Sequence, residues 1–502
     1  MIVRGPASAA AAVARRADRR TALALVVLAL AVYNLNFRVI QDGDTVPARL
    51  LPFALWRTGS LSLDAVAELA ATVPPGKPYH EAYYLWRSPA GHLYTKYPIV
   101  TPVLIAPLYA PAVAFLAWQG WEQWRLQNTS LRMEKLAASL VAALSVGLVY
   151  LLARRRAERP RALLAAVAYG FATTTWVISS QALWLHGLGE LLAVGALLAA
   201  TAQPRPWTLL AAGVAGGLLA GNRPPDAALG AAVLVYLLAR HGRRALWALG
   251  GAAVALVPIL SYNFTVFRHW AGGYGVAGLA GPHPFYSHPL LPGIAGLLLS
   301  PAKGLLIFSP FLAFLALRLL PASWTAGRDR KAATGGTVVN GRMAPAGSGT
   351  PAPGRTSPPS DRLPEPGAAR PDRRLDLAVA AAFLAQLCFY ARTDFRAGSC
   401  YGPRYLTDAL PFLVWLLVPV VARLRGWGLR AFILAVAVGI AIQAIGAFCY
   451  PRGRSDDLYY PSGLDRLVIA PAVWSPAETP FLVEARAGVA PPELLPHRAG
   501  RR

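Results

Sequence analysis

Thr21-Ala22-Leu23-Ala24-Leu25-Val26-Val27-Leu28-Ala29-Leu30-Ala31-Val32-Tyr33 and, shortly after it, Gln41-Asp42-Gly43-Asp44-Thr45 decide how this chain is read. The apolar run is preceded by Arg4, Arg15, Arg16, Arg19 and Arg20, an arrangement that resembles a signal peptide. No convincing A-x-A site follows it, so it reads as an uncleaved first span with a cytoplasmic start. Two carboxylates placed just beyond the exit of a span point to chemistry.

Composition agrees with a chain of many spans. Of 502 residues 55% are hydrophobic and only 15% charged, with 45 Gly and 43 Pro, and the mean hydropathy is +0.41. That is the profile of an all-α polytopic membrane protein. A formal net charge of +25 would suggest nucleic acid in a soluble protein. Here the arginines sit in short turns between apolar runs, which the positive-inside rule explains without a nucleic-acid partner. Cys388, Cys400 and Cys449 show no metal or CxxC spacing. A Cys400–Cys449 bridge and free thiols are both compatible with their positions.

Topology can be counted from the arginine turns. A long outer region runs from Gln41 to about Met133 and contains an apolar stretch, Ile99 to Trp118. Were that stretch to cross, Arg154-Arg155-Arg156, Arg159 and Arg161 would lie outside; its prolines Pro98, Pro102, Pro107 and Pro111 also favour an interfacial or re-entrant segment. The second span is then roughly Leu136 to Leu152, and further spans fall near 162–179, 182–201, 207–221, 226–239, 244–262, 304–320, 376–390, 409–422 and 430–449. This gives about eleven transmembrane helices. The expected organisation is a transmembrane module over 1–320 with its first outer loop at 41–133, a disordered cytoplasmic linker at 321–374 rich in Pro, Gly, Ser and Arg, closing helices over 375–449, and an outer tail over 450–502.

With this topology the unusual polar groups collect at span ends on the outer face. They are Asp42, Asp44 and Arg49; His80, Glu81, Tyr83 and Tyr84; His92, Lys96 and Tyr97; Trp184 and His186; Asn222, Arg223 and Asp226; Lys303; and Arg396, Arg404, Tyr405 and Asp408. Outer arginine works against orientation and asks for another reason; headgroup snorkelling is the plain one. The Asp-Gly-Asp triplet has three readings: a metal-holding D-x-D, for which the surrounding α/β pattern is missing; a single carboxylate acting as general base, ionised at neutral pH; and an Asx cap on the helix that Thr45-Val46-Pro47 announces. His80, Glu81, His92 and the aspartates could supply oxygen and nitrogen ligands, but no metal spacing appears, so no cofactor is expected.

Here a family resemblance enters. Asp42-Gly43-Asp44-Thr45-Val46-Pro47-Ala48-Arg49 after the first span resembles the first outer loop of the GT-C membrane glycosyltransferases, whose acidic residue there is the catalytic base. Lys96-Tyr97-Pro98, Ser300-Pro301-Ala302-Lys303-Gly304-Leu305-Leu306-Ile307-Phe308-Ser309-Pro310 and Tyr401-Gly402-Pro403-Arg404-Tyr405-Leu406 also resemble stretches of bacterial members. The long linker and the absence of a large outer C-terminal domain depart from that pattern. The resemblance implies an inverting transfer from a polyprenyl-phosphate sugar to an acceptor outside the cytoplasm. Asp44, with Asp42 as rival, would be the base; Arg404 would hold the leaving phosphate, with Lys303 and Arg396 sharing the charge; His186 and Trp184 would line the sugar pocket; Lys96 and Tyr97 would meet donor headgroup or lipid, and Arg49 and Tyr405 complete the candidate set. Arg223 with Asp226 reads as a structural ion pair.

The acceptor, whether glycan, lipid or protein, is not legible, and no nucleic acid is expected. A lipid-linked glycan polymerase or ligase shares the donor chemistry. A transporter or flippase would carry mid-membrane charge and internal repeats, neither of which is visible. Richness in Ala, Arg, Gly and Pro suggests a GC-rich bacterial gene, and so the plasma membrane.

Overall fold

The computed structural model describes residues 6–72, 82–278, 288–319, 372–450, 454–461 and 468–495. All but three residues of the expected linker, together with His80 and Glu81, lie outside them. α-Helices of eight residues or more are numbered α1 Pro6–Asn34, α2 Val46–Thr58, α3 Ala110–Gln119, α4 Gln123–Ala153, α5 Arg159–Phe171, α6 Leu185–Ala200, α7 Pro206–Asn222, α8 Ala227–His241, α9 Leu246–Phe267, α10 Leu290–Leu299, α11 Arg373–Ala391, α12 Leu410–Arg423, α13 Gly426–Cys449 and α14 Pro480–Ala487. The described strands are an antiparallel hairpin, β1 Leu85–Arg87 with β2 Leu93–Thr95, in which Trp86 faces Tyr94. The chain is an all-α polytopic membrane protein: among the described residues six helical runs are long and apolar enough to cross a bilayer, and Leu185–Ala200 and Leu290–Leu299 are shorter apolar helices.

Hydrogen bonds define two ends of the bundle. α1 and α4 run antiparallel, with Asn34 donating to Ser139 and Arg154 reaching back to Asp18. At the Asp18 end the arginine turns converge: Asp18 also takes Arg159 at 3.0 Å, and Asp376 takes Arg156 at 2.9 Å and Arg318 at 2.7 Å. Arg161 donates there to the Leu424 carbonyl. At the other end Asp44, the hairpin and the starts of α6 and α12 meet.

The Ile99–Trp118 stretch is helical over Val100–Gln119, broken at its prolines, with a mean hydropathy of 1.9 that would allow a crossing. Its neighbours place it otherwise. Tyr97 before it bonds Asp44, and Trp121 after it packs on Phe53 and under Arg57 of α2. The Trp56 indole also donates to the Ala106 carbonyl. The segment thus runs alongside α2, from Asp44 at its start to Phe53 and Arg57 near its far end.

Three boundaries differ from the sequence reading. The expected 162–179 span ends as α-helix at Phe171 and continues as a π-turn over Thr175–Ser179, because the Thr173 hydroxyl bonds the Tyr169 carbonyl and Thr175, competing with the helical ladder. The 304–320 span is an α-turn, Leu305–Phe308, and then a 3-10 helix, Pro310–Arg318. At about 2 Å rise per residue the 3-10 form carries a short segment farther than an α-helix would. Ahead of it α10, not expected from the sequence, packs on α11 near the Asp44 end, with His288 bonded to the Arg392 carbonyl.

Candidate active site

Local chemistry sets Asp44 apart from Asp42. The Asp42 side chain turns back to cap Gly43 N at 2.9 Å, and its carbonyl accepts from Thr45 N, closing a 3-10 turn that opens α2. The turn presents Asp44 to three donors. Its Oδ1 accepts from the Tyr83 and Tyr97 hydroxyls, both at 2.6 Å, and its Oδ2 from Arg404 at 2.8 Å. Burial raises the Asp44 pKa, but Arg404 and the two phenols outweigh it, so the carboxyl sits below its ordinary value. Burial and the Asp44 charge push the Tyr97 phenol well up, so it stays a donor.

Arg404 arrives from the far end of the sequence on the Tyr401-Gly402-Pro403 turn. Gly402 has φ 78°, and a Cβ there would press on the Phe308 ring at 2.8 Å, so this turn needs glycine. The guanidinium lies 4.6 Å from the Trp184 ring centroid and 5.9 Å from that of Tyr405. Its Nε is buried without a hydrogen-bond partner among the described residues. Tyr405 is itself stacked on Tyr390 at 4.4 Å.

Beneath this layer lies a buried network. His186 Nδ1 is 2.7 Å from Asp408 Oδ2, which also pairs with Arg223. Asp226 accepts from Gln386 at 2.6 Å. The sequence reading paired Arg223 with Asp226; the structure pairs it with Asp408, because the 3-10 turn Arg404–Ala409 ahead of α12 packs on α6 and delivers Asp408 there. Trp184 is buried, with its indole on the Ile40 carbonyl, so it is no interfacial belt residue.

The remaining candidates divide. Arg49 is buried, bonded to Gln41 and 3.6 Å from Glu134, and braces the Asp42 turn from below. Lys96 extends the hairpin by its backbone bond to Tyr84, while its amine makes no bond to a described residue. Lys303 and Arg396 are not brought to Asp44. Lys303 donates to the Cys400 and Gly398 carbonyls; Arg396 is paired with Asp394 and donates to the Tyr459 and Val468 carbonyls. Both hold the shape of the 394–402 loop, in which Ala397 takes φ 61°. Cys388, Cys400 and Cys449 are free, so the alternative of a Cys400–Cys449 bridge is not realised. His92 is paired with Asp64 at 2.8 Å, and no described group of three or more His, Cys, Asp or Glu could hold a metal ion.

No family model matches the chain, and no curated protein does. Among solved structures it is similar to ArnT from Cupriavidus metallidurans bound to undecaprenyl phosphate, with 15% identity and a TM-score of 0.45. The match covers 90% of this chain and 66% of that one, so the chain spans just under two thirds of that protein's length.

Sequence reasoning missed Lys135, buried in α4 with its amine on Asn36 and Gln181 oxygens. Its signal was available: a lysine next to Glu134, directly ahead of the apolar run that opens at Leu136. Glu190, bonded to Thr175 at 2.5 Å inside α6, was missed in the same way.

Proposed function

We propose that this chain is a membrane glycosyltransferase of the GT-C kind, moving a sugar from a polyprenyl-phosphate donor to a hydroxyl acceptor outside the cytoplasm. The observation that carries the reading is the Asp44–Arg404 pair, 2.8 Å apart and 360 positions apart in sequence. A base and an anion holder side by side at a membrane exit are what displacement of a lipid phosphate from an anomeric carbon requires.

Asp44 takes the proton of the acceptor hydroxyl as its oxygen attacks the anomeric carbon from the face opposite the phosphate. The sugar–oxygen bond to the phosphate breaks, and the lipid phosphate departs with the bonding electrons, its growing charge met by Arg404 and the Lys96 amine. Trp184 and Tyr405 fix the plane of the guanidinium. The His186–Asp408–Arg223 network sets the depth of the pocket floor. Eleven crossings, with the arginine end cytoplasmic and the Asp44 end outside a bacterial plasma membrane, complete the proposal. In it 1–320 is the catalytic module, 321–374 a cytoplasmic linker, 375–449 the helices that deliver Arg404, and 450–502 an outer tail bracing their loop.

The test is sugar transfer by the purified protein in detergent across a panel of polyprenyl-phosphate sugars. Asp44→Asn should lower transfer by about 10²-fold or more while donor binding persists; Asp42→Asn, which keeps a capping oxygen, should stay close to wild type, and Asp42→Ala should cost mainly about 1 kcal/mol of stability through the lost cap. If no donor turns over, or Asp44→Asn keeps full activity, the transferase reading fails.

A further inference from the structure

The three donors on Asp44 leave no room for an acceptor on one of its oxygens. A carboxylate oxygen offers two lone-pair directions, and Oδ1 uses both on Tyr83 and Tyr97. One of these phenols must therefore withdraw before a substrate hydroxyl can occupy Oδ1.

The two differ in exposure. Tyr97 is half-buried, its backbone N–H bonded to Thr95 Oγ1 and its ring set edge-on against Tyr274 at 5.7 Å. Tyr83 is 39% exposed. It leans edge-on against Tyr84 at 5.3 Å, and Tyr84 is the anchored member, fully buried with its hydroxyl on the Ala70 carbonyl. Tyr83 thus reaches Asp44 from the solvent side, from the foot of the β1–β2 hairpin. It presents there a neutral O–H on a carboxylate oxygen, the same group that an acceptor sugar or alcohol would present.

We infer that the Tyr83 hydroxyl holds the acceptor's place on Asp44 in the donor-free protein, and that the acceptor hydroxyl displaces it. This rests on the transferase reading above and goes beyond it. Tyr83 keeps water off Oδ1, the oxygen that takes the acceptor's proton in this reading, until a better-placed hydroxyl arrives, and so guards the donor against hydrolysis. It is a positioning and gating residue, with Tyr97 as the fixed donor that aims Asp44.

Tyr83→Phe removes the competing O–H and keeps the ring. In the transfer assay the acceptor KM should fall by roughly tenfold, the scale of one hydrogen bond to a charged group. Donor hydrolysis without acceptor should rise, and Tyr97→Phe should instead lower kcat without lowering KM. Independently of turnover, carbodiimide labelling followed by mass spectrometry should modify Asp44 several-fold faster in Tyr83→Phe than in wild type, with Asp42 unchanged. Active enzyme in which Tyr83→Phe leaves KM, hydrolysis and Asp44 labelling unaltered would overturn the gate while sparing the transferase. Faster labelling of Asp42 and Asp44 alike would overturn it too, as general loosening. A wild type that turns over no donor, on the other hand, removes the transferase reading and the gate with it.

Discussion

Asp44 owes its charge to neighbours rather than to water. Burial raises its pKa, and Arg404 first, then the hydroxyls of Tyr83 and Tyr97, bring it below the ordinary carboxylate value. A folded pKa below the unfolded value of about 3.9 gives stability that is present above that pH and is lost as pH falls through the folded value. Any acid limb of transfer due to Asp44 therefore lies below about pH 4. Arg404→Gln takes away the strongest opposing influence, so the limb should move up towards neutral. A pH profile of kcat/KM for both proteins checks this, and an unmoved limb would separate Asp44 from the rate. The sequence made Asp44 and Arg404 visible because both stand at span ends where charge has no topological use. Their pairing was not legible, since 360 residues separate them. Lys303 and Arg396 were equally conspicuous, yet Lys303 serves the Gly398 and Cys400 carbonyls and Arg396 those of Tyr459 and Val468, and a backbone acceptor leaves no mark in a sequence.

The helices α7, α8 and α9 meet through glycine. A Cβ on Gly251 would lie 2.2 Å from the Leu210 carbonyl oxygen and 2.9 Å from Val214 N, while a Cβ on its exposed neighbour Gly250 meets nothing within 4 Å. Backbone cannot step aside as a flexible side chain can, so small residues let these helices approach closely. Gly251→Ala should cost about 2–3 kcal/mol, whereas Gly250→Ala should be neutral or gain up to about 1 kcal/mol from helix propensity. Thermal unfolding in detergent distinguishes them; equal melting temperatures would remove the close-packing argument. Apolar runs made most of these helices readable from the sequence alone. What escaped were elements with little periodicity of their own: α10, ten residues long and too short to suggest a crossing, and the three-residue strands of the hairpin that carries Tyr83 towards Asp44.

Two aspartates organise the far end of the molecule. Asp18 gathers Arg154 and Arg159, and Asp376 gathers Arg156 and Arg318, so four of the arginines behind the net charge of +25 are tied into pairs that fasten α1, α4, α5, α11 and the 310–318 segment together. Arginine outnumbers carboxylate at that end, and in the proposal above the positive-inside rule turns it to the cytoplasm. Asp44 lies at the opposite end, which the same proposal sets outside, where lipid-linked sugars would be the donors. The orientation is testable on a background with Cys388, Cys400 and Cys449 changed to serine. A membrane-impermeant maleimide added to intact spheroplasts should label Arg57→Cys at the exposed C-terminal end of α2, and should reach Arg425→Cys, just before α13, only after lysis. The reverse pattern would turn the Asp44 end to the cytoplasm, where nucleotide sugars abound, and the case for a lipid phosphate donor at Arg404 would lose its physical ground.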